Sequence, residues 1–439
     1  MECDVIVIGA GVSGLTVASE LQRAGRDVHI LEATSRIGGR IYTIRPCMSE
    51  LPIELGAEFV HGRPPEIWNW IRTASLSTYE HEARALHIDH KRIIHSQDVG
   101  TIADKVLSKM ARSSRRRDES FEDYLRHSRI SSDARKWSRI HIEGFNAARK
   151  DWISATSLTK DSDAAKAIDG DRTFRIVNGY DAVPEAILRS IREPQMRLHL
   201  SCVVEVVKWR RHRVDVHYRS ALDGESLHMR CRQLVVTIPL GVLQAIGGNR
   251  PDRGLIQFEP SPDRVLKAAR VLKCGHVYRV TFRFSNAFWE SDGEYKRVGF
   301  IVSRDKNFFT WWTTSPVATP MLTGWMAGSS ADRFRHENEF EIAREAMNSL
   351  SRIFRRKVPR PEAFYFHNWR EDPFFRGAYS YVPVNGLRAR KALSSPVEET
   401  LFFSGEATHT NGFSGTVHGA IASGIQTANT MVDCDRRCL

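Results

Sequence analysis

The chain has 439 residues, 41% hydrophobic and 26% charged, an ordinary globular composition with room for about two or three domain-sized units. Lys plus Arg is 64 against 52 Asp plus Glu, a net charge of +12, which leaves an anionic partner open. No stretch reaches the ~18 apolar residues of a membrane-spanning helix, and the seven cysteines show no metal-ligand spacing, so the expectation is a cytoplasmic protein with reduced thiols and no membrane anchor.

The apolar run Val5-Ile6-Val7-Ile8 leads straight into Gly9-x-Gly11-x-x-Gly14, and a helical pattern runs from Leu15 to Ala24. This order is strand, tight turn, helix. Gly9 permits the turn, Gly11 lets a pyrophosphate approach the backbone, and Gly14 lets helix and strand pack closely. A second apolar strand, Val28 to Leu31, ends in Glu32, placed to bind a ribose hydroxyl and to repel a 2′-phosphate. A GxGxxG alone is weak evidence; the strand before it, the helix after it and the acid at this distance make it a dinucleotide site.

Two further segments follow, Glu32-Ala33-Thr34-Ser35-Arg36-Ile37-Gly38-Gly39-Arg40 and Glu54-Leu55-Gly56-Ala57-Glu58-Phe59-Val60-His61-Gly62. With the glycine turn they resemble the FAD-dependent amine oxidase family of monoamine oxidases, polyamine oxidases and flavin histone demethylases. The resemblance implies an α/β fold: a Rossmann-like FAD-binding domain interleaved with a mixed-sheet and helical substrate domain. It implies contacts to FAD from Gly9, Gly11, Val12, Ser13, Gly14, Glu32, Ala33, Gly56, Ala57, Glu58 and Phe59, and a pyrophosphate clamp at Arg40. A bidentate guanidinium suits that task. The family often has arginine where this chain has Thr34. Arg36 reads either as a second clamp or as a surface salt bridge.

Residues 64 to 172 read as mostly helical and charge-rich. Ser120 to Asp123 resembles a helix N-terminus. Trp137 to Ala148 has helical spacing, and 156–171 is polar and loop-like. The basic run from Arg112 to Arg117 reads as a solvated loop or helix face, without the interleaved aromatics of a single-strand platform. Phe174 to Ile191 reads as strand, turn and helix. Strands follow at 197–209, 213–218 and 233–237. Val204 is either an adenine contact, as the resemblance implies, or plain strand core.

The stretch Val277 to Phe284 alternates, with Tyr278, Val280, Phe282 and Phe284 on one face and Val277, Arg279, Thr281 and Arg283 on the other. The family usually carries lysine where this chain has Arg279. Arginine cannot serve as a base, so Arg279 is either a fixed cation beside the flavin, there to stabilise charge developing during reoxidation, or a solvent-facing residue. Phe308 to Trp312 is an aromatic strand, and Glu337 to Phe354 an amphipathic helix.

Trp369-x-x-Asp372-Pro373-x-x-x-Gly377-x-Tyr379 matches a family segment that implies Trp369 beside the isoalloxazine and Tyr379 as one wall of an amine cage. Ala378 stands where covalent-flavin members have cysteine, which implies noncovalent FAD. The closing stretch runs from Leu401 through Gly405-Glu406 to Gly415-Thr416-Val417-His418-Gly419. By resemblance Glu406 holds the ribityl chain, Gly405, Gly415 and Val417 line the cofactor, and Thr416 replaces the second cage tyrosine. His418 reads as structural. His61 falls where animal polyamine oxidases carry histidine; it reads as a pocket residue or as hydrogen-bonded core.

The implied chemistry is hydride transfer from a small-molecule amine to FAD N5, imine hydrolysis and reoxidation by O2 to give H2O2, with His61, Arg279, Trp369, Tyr379 and Thr416 at the reacting centre. Flavin L-amino-acid oxidases of this fold often carry a carboxylate-binding arginine where this chain has Gly56-Ala57-Glu58-Phe59, so the resemblance implies an amine over an amino acid, and His61 by the same resemblance implies a polyamine over a monoamine. The net charge repels a polycation, although Glu58 offers a local guide. An L-amino-acid oxidase or desaturase of the same fold is the alternative. A basic nucleic-acid-binding flavoprotein is the alternative of another class, disfavoured by the missing aromatic platform. No insertion is long enough for a corepressor arm, which argues against a histone-demethylase role. The expected boundaries are 1–75, 174–264 and 396–439 for the FAD-binding domain, and 76–173 and 265–395 for the substrate domain.

Overall fold

The computed structural model describes residues 2–81, 84–89, 92–95, 99–113, 117–191, 196–248 and 252–438. Residues 114–116 of the Arg112–Arg117 basic run lie outside them. Two large sheets organise the chain.

The first sheet has eight strands, in the order Met196–His199, Val28–Leu31, Glu2–Ile8, Ser226–Val236, Arg213–Ser220, Cys202–Arg210 and Gln257–Glu259, with Leu401–Phe403 also beside Ser226–Val236. The pairings around Glu2–Ile8 are parallel. A parallel strand is covered on both faces, so its sequence is a continuous apolar run, and Val5 to Ile8 are all buried. The helix Val12–Arg23 packs against the last helix, Val417–Cys438, across Gly424, where a Cβ would stand 2.8 Å from the Ser13 carbonyl. Gly14 is constrained more tightly, since a Cβ there would lie 2.0 Å from the Gly9 carbonyl oxygen.

The second sheet has seven strands, ordered Ala363–Phe366, Val277–Arg283, Met321–Ala327, Thr310–Trp312, Val298–Ser303, Arg84–Asp89 and Arg92–His95. Its Tyr278, Val280 and Phe282 face packs on Ile342, Ala346 and Leu350 of the helix Glu339–Ile353, which Asn338 and Glu341 start with a reciprocal capping box. The opposite face, carrying Arg279, is buried too and turns toward a cavity.

Four sequence expectations need correction. The stretch expected to be mostly helical includes Arg84–Asp89 and Arg92–His95, whose alternating Leu86, Ile88 and β-branched Ile93, Ile94 join the second sheet. The polar stretch expected to be a loop begins as a helix, Ala155–Lys166, because Ser154 caps it through the Ser157 N–H while only Ala155, Ser157 and Leu158 are buried. The helix expected to reach Ala148 ends at Phe145, where Ala147 turns to φ +47°. The strand expected over 197–209 breaks at Ser201, which has φ +56° and donates its N–H to the Thr34 carbonyl.

Candidate active site

A cavity of about 1030 Å³ lies where the carboxyl ends of the parallel strands meet the second sheet, lined from Gly9 and Glu32 at one end to Arg279 and Trp312 at the other. Of the predicted cofactor and catalytic residues, all but Gly14 line it. Gly14 stands under the turn.

At the dinucleotide end Gly9 has φ +106°, a conformation only glycine adopts freely. Gly11 caps the Val12–Arg23 helix without a side-chain acceptor, which leaves first-turn N–H groups available to an anion. A Cβ on Gly39 would come within 3.3 Å of the Gly11 Cα, so the two glycine turns abut. Glu32 accepts from Ala10 N at 2.7 Å and from the Thr34 amide and hydroxyl at 2.9 and 2.8 Å. Thr34 thus braces the acid. Arg36 forms no ion pair among the described residues; its guanidinium sits 4.1 Å over the Tyr42 ring and donates to the Ile37 and Ile41 carbonyls.

Arg40 donates to the Ala378 carbonyl at 2.6 Å and to Glu406 at 2.9 Å. Glu406 also accepts from Ser380 Oγ and Gly415 N. Burial would raise this carboxyl, but Arg40 and these donors outweigh burial and hold it below its ordinary value. A side chain on Gly405 would meet no protein atom within 4 Å, so the cavity is open there.

At the other end Trp369 is buried and donates Nε1–H to the Leu55 carbonyl at 2.9 Å, while Gly56 faces its ring. Tyr379 and Thr416 are brought together through Gly415, whose Cβ position is 3.0 Å from the Tyr379 ring. Their polar atoms are already engaged. Tyr379 donates to the Phe145 carbonyl at 2.7 Å; Thr416 donates to the Phe413 carbonyl at 2.6 Å and accepts from Gly419 N at 3.0 Å. With these groups engaged, both residues still line the cavity. His61 packs edge-on against Phe145 and is pushed down to about 4 by burial; His418 is pushed down to about 3 by burial, with His61 and His409 adding to the effect. Both are neutral at pH 7.

Arg279 does not face solvent. It donates to the Gly56 carbonyl at 2.9 Å and to Glu58 at 2.7 Å. Glu58 also receives Arg175 at 2.8 Å and Trp312 Nε1–H at 3.0 Å. Burial would raise Glu58, but Arg175 and Arg279 together hold it low. Glu58 is therefore neutralised and cannot guide a polycation. Sequence reasoning missed Arg175; an arginine inside the apolar strand Thr173–Ile176 was the available signal. It also missed four carboxylates on the cavity wall, Asp104, Asp161, Asp169 and Asp171, none of which forms an ion pair among the described residues. Burial pushes Asp161 up to about 7, with Arg390 opposing.

A glycine-turn dinucleotide cleft opening into an aromatic-walled pocket defines a flavoprotein oxidoreductase. The chain belongs to the family described as flavin containing amine oxidoreductase, which matches residues 12–432. It is 27% identical to "Lysine-specific histone demethylase 1 homolog 3" of Arabidopsis thaliana over 98% of this chain, spanning 30% of that protein's length. It is 27% identical to "Probable polyamine oxidase 4" of Arabidopsis thaliana, over 98% of this chain and 87% of that one. Its fold matches a putrescine oxidase bound to putrescine with a TM-score of 0.81 at 20% identity, over 99% of both chains. FAD is the family's cofactor, and the residues present fit it: open helix N–H groups, abutting glycine turns and the vacant side of Gly405 supply the cradle. Among the described residues no helix is long and apolar enough to cross a membrane.

Proposed function

We propose that this protein oxidises the C–N bond of an amine, a polyamine ahead of a monoamine, with noncovalent FAD and O2, releasing H2O2. FAD, when bound, supplies the hydride acceptor. The remaining tasks belong to the chain. Trp369 and the Tyr379 ring flank the amine and tolerate its cationic form on arrival. Thr416, its hydroxyl engaged, leaves space and a methyl surface. Neutral His61 and His418 offer ring nitrogens to an amine N–H. Gly9 to Gly14, Glu32, Val204 and Glu406 hold the cofactor, and Ala378 offers no thiol for a covalent link.

The observation that carries the polyamine reading is the set of four acids lining the cavity, Asp104, Asp161, Asp169 and Asp171, which form no ion pair among the described residues, Asp161 being pushed up to about 7 by burial. It suits a substrate with ammonium groups beyond the one that reacts. Arg279 does not favour an amino acid: its two terminal nitrogens are spent on Gly56 and Glu58. The test is anaerobic mixing with putrescine, spermidine, spermine, phenylethylamine and amino acids while flavin bleaching is followed. Polyamines should bleach it fastest. Bleaching by amino acids alone would overturn the reading, and flavin retained on the denatured chain would overturn noncovalent binding.

A further inference from the structure

One carboxylate in the cavity wall serves two guanidiniums. Glu58, Arg279 and Arg175 are each no more than 7% exposed, as is Trp312, which donates to the same carboxylate. The three charges sum to one net positive charge in a buried site, where the field of a charge reaches further than in bulk water. Neither arginine can discharge itself by losing a proton. Donor capacity is left over: Arg279 Nε and Arg175 Nη1 are buried without an acceptor. The neighbours cancel only part of this charge. Glu54 is pushed up to about 7 by burial, and its oxygens are taken by Thr43 and Tyr180. His81 is held toward its neutral form by burial, and burial keeps the Tyr79 phenol protonated. Arg279 lines the cavity; Arg175 stands behind it and does not.

We propose that the Arg279–Glu58–Arg175 cluster is a permanent cation that biases bound FAD toward its reduced, negatively charged form, Arg279 acting through its field and not through proton transfer. The proposal rests on FAD occupying this cavity and not on which amine is oxidised.

Its test is the midpoint potential of the FAD-loaded protein and a ladder of charge variants. Arg279→Met and Arg175→Met each take the cluster from +1 to 0; the double variant removes both cations that hold Glu58 ionised against burial, so Glu58 takes up a proton and the cluster stays near 0. Each single variant should lower the reduced-to-oxidised ratio at fixed potential about tenfold, ~30 mV for a two-electron couple, and the double variant should fall little further. Arg279→Lys keeps the charge and should stay near the parent. Arg175→Met is decisive, because Arg175 does not line the cavity and acts by charge alone. Should Arg279→Met fail to fold, Arg175→Met and Arg279→Lys still decide the matter. An unmoved potential in loaded Arg175→Met overturns the proposal, as does an Arg279→Lys potential that falls as far as that of Arg279→Met.

Discussion

The dinucleotide end of the cavity is built from backbone, whereas the reactive end is built from side chains. At the first, Gly9, Gly11 and Gly39 place N–H groups and open space, and the one acid, Glu32, is braced by its own neighbours Ala10 and Thr34. At the second, Glu58, Arg175, Arg279 and Trp312 come from four separate strands or turns and depend on one another for charge balance. A backbone site fails when a Cβ is added. A side-chain site fails when one partner is removed.

The largest effect should therefore come from Gly14→Val, since even a Cβ would lie 2.0 Å from the Gly9 carbonyl oxygen. The expected outcome is near-complete loss of bound FAD, read from the flavin absorbance of purified protein. Glu58→Gln attacks the other end: it strands two buried guanidiniums and should cost about 3–5 kcal/mol, measured by urea unfolding. If the loss is under about 1 kcal/mol, the cluster is better hydrated than its burial implies.

A smaller and pH-dependent effect follows from the histidines. His61 and His418 titrate in the folded protein well below the ordinary 6.5, at about 4 and about 3, because burial disfavours their charge. The unfolded chain binds their protons first. Stability should therefore be full above about pH 6.5 and fall as pH drops toward 4. His61→Gln should flatten that slope; an unchanged slope would mean that His61 is hydrated. The smallest effect is expected for Tyr379→Phe. It removes one hydrogen bond, to Phe145, and keeps the ring, so stability should drop by about 1 kcal/mol while the amine-dependent rate barely moves.

The same contrast explains what was legible beforehand. The glycine turn, Glu32 and the alternation around Arg279 are local patterns, and the fold they imply is the one observed. Arg279 and Glu58 were visible as residues, but their pairing was not, because Arg175 and Trp312 approach from far along the chain. The Ala155–Lys166 helix was hidden by its composition, since it buries only Ala155, Ser157 and Leu158 and relies on Ser154 for its start. Arg36 was read as an ionic residue, whereas a flat guanidinium also stacks, and Tyr42 supplies the ring.

The seam between the first and last helices bears on how the protein is made. Ser13 and Ser404, 391 positions apart, share a hydrogen bond, and Leu401–Phe403 extends a sheet founded by Glu2–Ile8. During translation the opening nucleotide turn leaves the ribosome long before the strand and helix that complete its surroundings. The amino-terminal turn must therefore wait for a strand and a serine made 391 residues after Ser13 before this part of its surroundings can close.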